Sequence, residues 1–91
     1  MKAIHAIVSG VVQGVGFRFF VEREAQARGL DGWVRNRRDG TVETVIAGAD
    51  AAVDAMLAQL HRGPPGAEIT AVRAGPHQGS LEPGFRTLPT A

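Results

Sequence analysis

The sequence predicts an α+β two-layer sandwich, a mostly antiparallel sheet covered on one face by two helices. Three observations carry that expectation. Apolar spacing switches from period two near the N-terminus to a helical period from Phe17, and the same switch recurs after Asp50. An Asp39-Gly40 turn signal separates two short β-rich runs. The 91 residues, 44% hydrophobic and 21% charged, suit one domain spanning residues 1–91. A chain of that size buries roughly 60% of its unfolded surface and can fold without staples.

Ile4, Ala6 and Val8 alternate with Ala3, His5 and Ile7, as in a first strand that is apolar on both sides, central in its sheet and ended by Ser9-Gly10. From Phe17 the pattern is helical. Phe17, Phe20, Val21 and Ala25 share one face, assigned to the core, while Glu22, Arg23, Gln26 and Arg28 face water. Phe19 falls outside the apolar stripe, and Gly29 supplies the C-cap. Glu24 and Arg28 stand four apart in the favourable order, worth about 0.3 kcal/mol.

Strand two is expected over about Leu30 to Arg37 and strand three over Thr41 to Ala47. The loop between them sets the register. A two-residue turn would pair Val34 with Val45, whereas a type I turn with a glycine bulge places Val34, Asn36, Val42 and Ile46 on one face. The second gathers the apolar residues beneath the helices and puts Asn36 at the edge of the core. Asp50 is the expected N-cap of a second helix whose Val53, Met56, Leu57 and Leu60 recur at helical spacing. Gly63-Pro64-Pro65-Gly66 stops it. A fourth strand from Glu68 to Ala74, a loose segment from Gly75 to Gly84 and a short edge strand from Phe85 to Leu88 complete a βαββαβ order, the ferredoxin-like arrangement.

Chemistry concentrates where the first strand meets the first helix. In Gly10-Val11-Val12-Gln13-Gly14-Val15-Gly16-Phe17-Arg18, the glycines Gly14 and Gly16 can adopt positive φ, which lets successive backbone amides converge on one anion. The helix N-terminus adds unpaired amides and the positive end of its dipole, and Arg18 adds a permanently charged fork. Other phosphate motifs fit less well. A Walker loop needs Gly-Lys-Ser/Thr, and a dinucleotide fingerprint needs a third glycine where Phe19 stands.

A second segment, Gly32-Trp33-Val34-Arg35-Asn36, follows on the expected hairpin. Together the two segments resemble the acylphosphatase family, whose pattern is a V-Q-G-V-x-F-R loop followed by a G-W-V-x-N hairpin, and the resemblance covers nearly the whole chain. It implies an enzyme, a metal-independent hydrolase that needs no cofactor and splits the carboxyl-phosphate bond of small acyl phosphates. By resemblance Arg18 binds the phosphoryl group, the loop Gly14, Val15, Gly16, Phe17 and Arg18 cradles it, and Asn36 holds the attacking water. Phosphate or sulfate would then be product-like ligands, and the protein a monomer. The family's last strand alternates apolar residues after its phenylalanine, whereas Phe85-Arg86-Thr87-Leu88 has a threonine at the next inward position. The register of that strand is left open.

Several classes are set aside. A net charge of +1 exerts no global pull on nucleic acid or anionic membrane. RNA-recognition modules share the strand and helix order, but their aromatic signature lies on an inner strand, while Phe17-Arg18-Phe19-Phe20 straddles a strand-helix junction. The absence of cysteine excludes disulfides and thiol catalysis. His5, His61 and His77 lie near neither motif, no carboxylate or histidine cluster has metal-ligand spacing, and Glu43 reads as a solvated strand residue. Arg35, Arg37 and Arg38 read as a charged hairpin tip, and Trp33 as packing. The first residues lack a cleavage-site pattern and no run nears the ~20 apolar residues of a membrane helix, so a cytoplasmic location is expected.

Overall fold

The computed structural model describes residues 1–91. The elements run β1 (Lys2–Val11), α1 (Phe17–Ala27), β2 (Asp31–Asn36), β3 (Val42–Gly48), α2 (Asp50–Arg62), β4 (Glu68–Pro76) and β5 (Phe85–Thr87). They form one sheet ordered β4-β1-β3-β2-β5, antiparallel except where β5 runs parallel to β2. β1 lies inside the sheet, between β4 and β3, in keeping with its expected interior place.

β1 continues past the expected stop. Ser9-Gly10 is a bulge against β4, not a terminus. Gly10 has φ +124°, and a Cβ there would collide with the Glu68 carbonyl, so this glycine serves a close backbone approach inside a strand.

The hairpin adopts the bulged loop. Asn36 pairs with Val42, Val34 with Thr44 and Gly32 with Ile46, so Val34, Asn36, Val42 and Ile46 share the helix-covered face. The Gly40 amide donates to the Arg37 carbonyl at 3.1 Å and Gly40 has φ +93°, which is the left-handed position the bulge demands. Thr44 is buried on the same face, and its hydroxyl donates to the Trp33 carbonyl at 2.8 Å. A polar atom in the core is thereby satisfied.

Phe17, Val21 and Ala25 of α1 pack with Val53, Met56 and Leu60 of α2 over Ala6, Val8, Val34 and Ile46 of the sheet. α1 ends in a Schellman motif: Leu30 N–H donates to the Ala25 carbonyl and Gly29 N–H to the Gln26 carbonyl, with Gly29 at φ +67°. Arg28 bonds Glu24 at 2.9 Å, as the spacing predicted.

Three expectations are corrected. Asp50 is not the N-cap of α2. Ala49 holds that position, Asp50 is the first helical residue without a side-chain cap bond, and its carboxylate lies 3.3 Å from the N-terminal amine. It still complements the helix dipole from within the first turn. Gln26 and Glu22 do not simply face water, because β5 docks beneath α1. Gln26 Nε2 donates to the Phe85 carbonyl at 3.2 Å, and the Thr87 hydroxyl donates to Glu22 at 3.0 Å. The inward threonine of β5 is thus used by the helix above it. Finally, β4 runs on to Pro76, two residues beyond the expected end, since its pairing with β1 persists to Ile4↔Pro76.

Candidate functional site

β1 leaves the sheet at Val11, and buried Val12 anchors the turn that follows. The next residue, Gln13, was not singled out by its sequence, and it does more than connect. Its side-chain amide donates to the Arg37 carbonyl at 2.7 Å and to the Thr41 carbonyl at 2.9 Å, both at the base of the β2–β3 loop. One carboxamide therefore fastens the glycine turn to the hairpin that carries Asn36. A glutamine between two valines and two glycines was a signal for such a role, since a solvated loop would not need it there.

Gly14 (φ +75°) and Gly16 (φ +78°) both occupy the left-handed region. Gly16 caps α1 with no side-chain hydrogen bond at the cap. The backbone amides from Gly14 to Phe19 donate to no acceptor in the protein. Consecutive unpaired amides at the positive end of a helix form an anion cradle.

A cavity of about 350 Å³ opens over this turn. Gly14, Gly16, Phe17, Arg18, Glu22 and Asn36 are among its lining residues. Arg18 and Asn36, eighteen positions apart in sequence, are therefore brought to one cavity, as are three of the remaining expected loop residues. Val15 differs: it lines the neighbouring groove with Gly16 and Phe19 and packs partly against the core. Arg18 is half-buried and enters none of the molecule's ion pairs.

Asn36 is the last residue of β2, on the helix side of the sheet. Its backbone carbonyl accepts the Ala91 amide at 3.0 Å. Its side-chain Oδ1 is buried without a hydrogen-bond partner, the only such buried side-chain atom in the molecule. An unsatisfied buried acceptor costs about 1–3 kcal/mol and calls for an explanation. A ligand or water donating a proton from the cavity supplies one.

Glu22 and Thr87 also line the cavity, and the sequence reading missed both. Glu22 was legible in principle, since it stands four residues after Arg18 on the same helix face. Thr87 was not, because it arrives through the parallel pairing of β5.

The remaining candidates stand elsewhere. Glu43 is not a solvated residue: its side chain is 14% exposed on the sheet face away from the helices. Arg35 Nε donates to one of its oxygens at 2.7 Å, and His5 Nε2 lies 2.6 Å from the other. Burial pushes the Glu43 carboxyl up, but the hydrogen bonds from His5 and Arg35 and the Arg35 charge outweigh it and leave the group below its usual range. Arg35 lies 4.8 Å from the Trp33 ring centroid, so it belongs to this face and not to the hairpin tip. None of the three histidines lines the cavity.

A two-layer fold with an amide cradle, a free guanidinium and an unpaired carboxamide in one cavity defines a small phosphate-handling α+β protein. The comparisons with known proteins are more specific. The acylphosphatase family model matches residues 4–87. An acylphosphatase of Chlorobaculum tepidum is 51% identical over 72 residues, covering 79% of this chain and 78% of its own. One of Rhodospirillum rubrum is 44% identical over 90 residues, covering 99% of each. The crystal structure of the Bacillus subtilis acylphosphatase superposes with a TM-score of 0.91 at 36% identity, over 97% of this chain and 99% of that one. The chain belongs to the acylphosphatase family, hydrolases that act on acid anhydrides.

Proposed function

We propose that residues 1–91 work as one domain in which Arg18 and the amides of the Gly14–Arg18 loop hold the phosphoryl group of an acyl phosphate, while Asn36 holds the water that attacks it. The reaction class is that of the family, hydrolysis of a carboxyl-phosphate anhydride to carboxylate and inorganic phosphate. Water oxygen bonds to phosphorus as the bond from phosphorus to the carboxyl oxygen breaks. The carboxylate leaves with the bonding pair, and the proton of the water passes to a phosphoryl oxygen.

Each group matches a demand of that step. An acyl phosphate carries a good leaving group, so the phosphorus needs positioning and charge stabilisation more than acid catalysis. Charge spreads over the equatorial phosphoryl oxygens, where the cradle amides and the Arg18 fork act. The Asn36 carboxamide can accept one proton of the water through Oδ1 and so direct a lone pair at phosphorus. The observation that carries this reading is that Asn36, whose Oδ1 is buried and unpartnered, lines the same cavity as Arg18, which enters no ion pair.

No titrating enzyme base is required, since a phosphoryl oxygen takes the proton. Glu22, the carboxylate of the cavity wall, is engaged by the Thr87 hydroxyl. We read the enzyme as a cytoplasmic monomer that uses no metal or cofactor. No helix of the chain is long and apolar enough to cross a membrane.

The test is hydrolysis of benzoyl phosphate in the presence of a chelator, run beside a stable phosphate monoester. Turnover of the anhydride with no attack on the monoester is the expected result. Loss of activity on chelation would remove the metal-free reaction, and a pH-rate profile governed by an enzyme group would replace substrate-assisted proton transfer with a base.

A further inference from the structure

A second groove, of about 450 Å³, adjoins the cradle and shares Gly16 and Phe19 with it. Its walls include the Phe19 ring, the Pro64-Pro65 turn after α2, and the side chains of Arg23 and Arg62. Asn36 lines the cradle cavity and is absent from this groove. In-line displacement puts the attacking and leaving oxygens on opposite sides of phosphorus. A water beside Asn36 therefore sends the acyl carboxylate away from Asn36, over Gly16 and Phe19 and into the second groove.

The groove has its own chemical character. Phe19 is 65% exposed, although Phe17 and Phe20 on the same helix serve the core, so packing does not account for its placement. The Arg23 guanidinium stands 5.7 Å from the Phe19 ring centroid. No carboxylate lines the groove. Arg23 and Arg62 are both exposed, so their lack of ion-pair partners follows from solvation alone. Their position is what matters: Arg23 and Arg62 both line the groove that adjoins the phosphate cradle, and Arg23 stands beside an exposed aromatic ring.

Resting on the acyl phosphate reading above, we infer that this groove is the acyl subsite and that it selects acyl phosphates whose acyl group presents an apolar or aromatic body and ends in a carboxylate. The body lies against Phe19 and the proline turn. The terminal carboxylate meets the forks of Arg23 and Arg62. The cradle supplies the chemistry, and the groove supplies the choice of substrate.

The test compares 4-carboxybenzoyl phosphate with its methyl ester, in the wild-type protein and in an Arg23→Gln/Arg62→Gln double variant. The wild type is expected to favour the carboxylate in kcat/KM by about five- to tenfold relative to the double variant's own ratio, between the upper end for exposed ion pairs and the lower end for charge-assisted hydrogen bonds. Melting curves confirm that both proteins are folded. A parallel titration uses the two β-ketophosphonates in which CH2 replaces the bridging oxygen, and it reads the same preference as a ratio of Kd without turnover. Phe19→Ala should weaken both phosphonates alike. Carboxylate and ester ratios within twofold of one another in wild type and double variant, by either readout, overturn the subsite. Binding preference for the carboxylate phosphonate with no hydrolysis of either acyl phosphate upholds the subsite and overturns the proposed reaction.

Discussion

On the sheet face away from the helices, Glu43 is held between His5 and Arg35, and Arg35 lies over Trp33. At the cradle, Arg18, Asn36 Oδ1 and the amides from Gly14 to Phe19 have no protein partner at all. Both regions are rich in polar chemistry, and both lie partly out of water. The difference teaches that charged residues by themselves do not mark a site. Exposed cations such as Arg38 and Arg73 need no partner because water solvates them. Partners missing from buried or half-buried groups are the informative case, since each costs free energy that a ligand or an ordered water offsets.

That comparison can be broken most severely at Arg18. Arg18→Ala should lower acyl phosphate hydrolysis by about 10³-fold or more, as loss of a transition-state arginine does, with no change in melting behaviour. Arg18→Lys should remain poor, because a point charge does not replace a planar fork. An unfolded Arg18→Ala protein would make this arginine a structural group like Arg35. Next in size is Asn36→Ala, expected to cost about 10²-fold in kcat, the scale of a misplaced reactant, while phosphate inhibition changes little. Equal loss of turnover and phosphate affinity would move Asn36 from the water to the phosphate.

Gln13→Ala sharpens the contrast from within the scaffold. Removing its amide takes one of two donors from each of the Arg37 and Thr41 carbonyls, so stability should fall by about 1–2 kcal/mol in denaturant titrations. The loop and Asn36 then lose their common tie, and kcat/KM should drop about tenfold. A stability loss without a kinetic one would show that the turn keeps its geometry unaided.

The smallest effect is expected on the far face. The folded-state pKa of Glu43 is lowered, so its contribution to stability is complete above the unfolded value near 4.5 and is lost as pH falls through the lower folded value. Glu43→Gln should flatten the acid limb of stability against pH, by about 1 kcal/mol or less, and leave hydrolysis within about twofold. A large loss of activity would connect two regions that share no hydrogen bond.

Much of this was legible in the chain. The central β1, the apolar stripes of both helices and the bulged hairpin register follow from short-range pattern, because alternation and turn chemistry are local properties. Arg18 and Asn36 stood out as candidates because two motifs, each weak alone, flank the first helix, and the fold brings both to one cavity. What stayed hidden depends on contacts between distant segments. The parallel docking of β5 determines what Glu22, Gln26 and Thr87 touch, and no residue in 85–88 announces that direction. The Ser9-Gly10 bulge was misread as a strand end because glycine serves both purposes, and only the approach of β4 distinguishes them. Asp50 lost the cap because one residue of shift turns an N-cap into a first-turn acid.

The unsatisfied oxygen of Asn36 has a bearing on how this molecule answers its surroundings. In the resting protein that atom is a small built-in defect, an electron pair kept dry with nothing to hold. Phosphate with its accompanying water can occupy the neighbouring hollow only in the native form, so melting temperature should climb with phosphate concentration. Heat resistance and occupancy are thereby linked. A sequence chosen purely for robustness would place an aliphatic group there and lose its purpose in doing so.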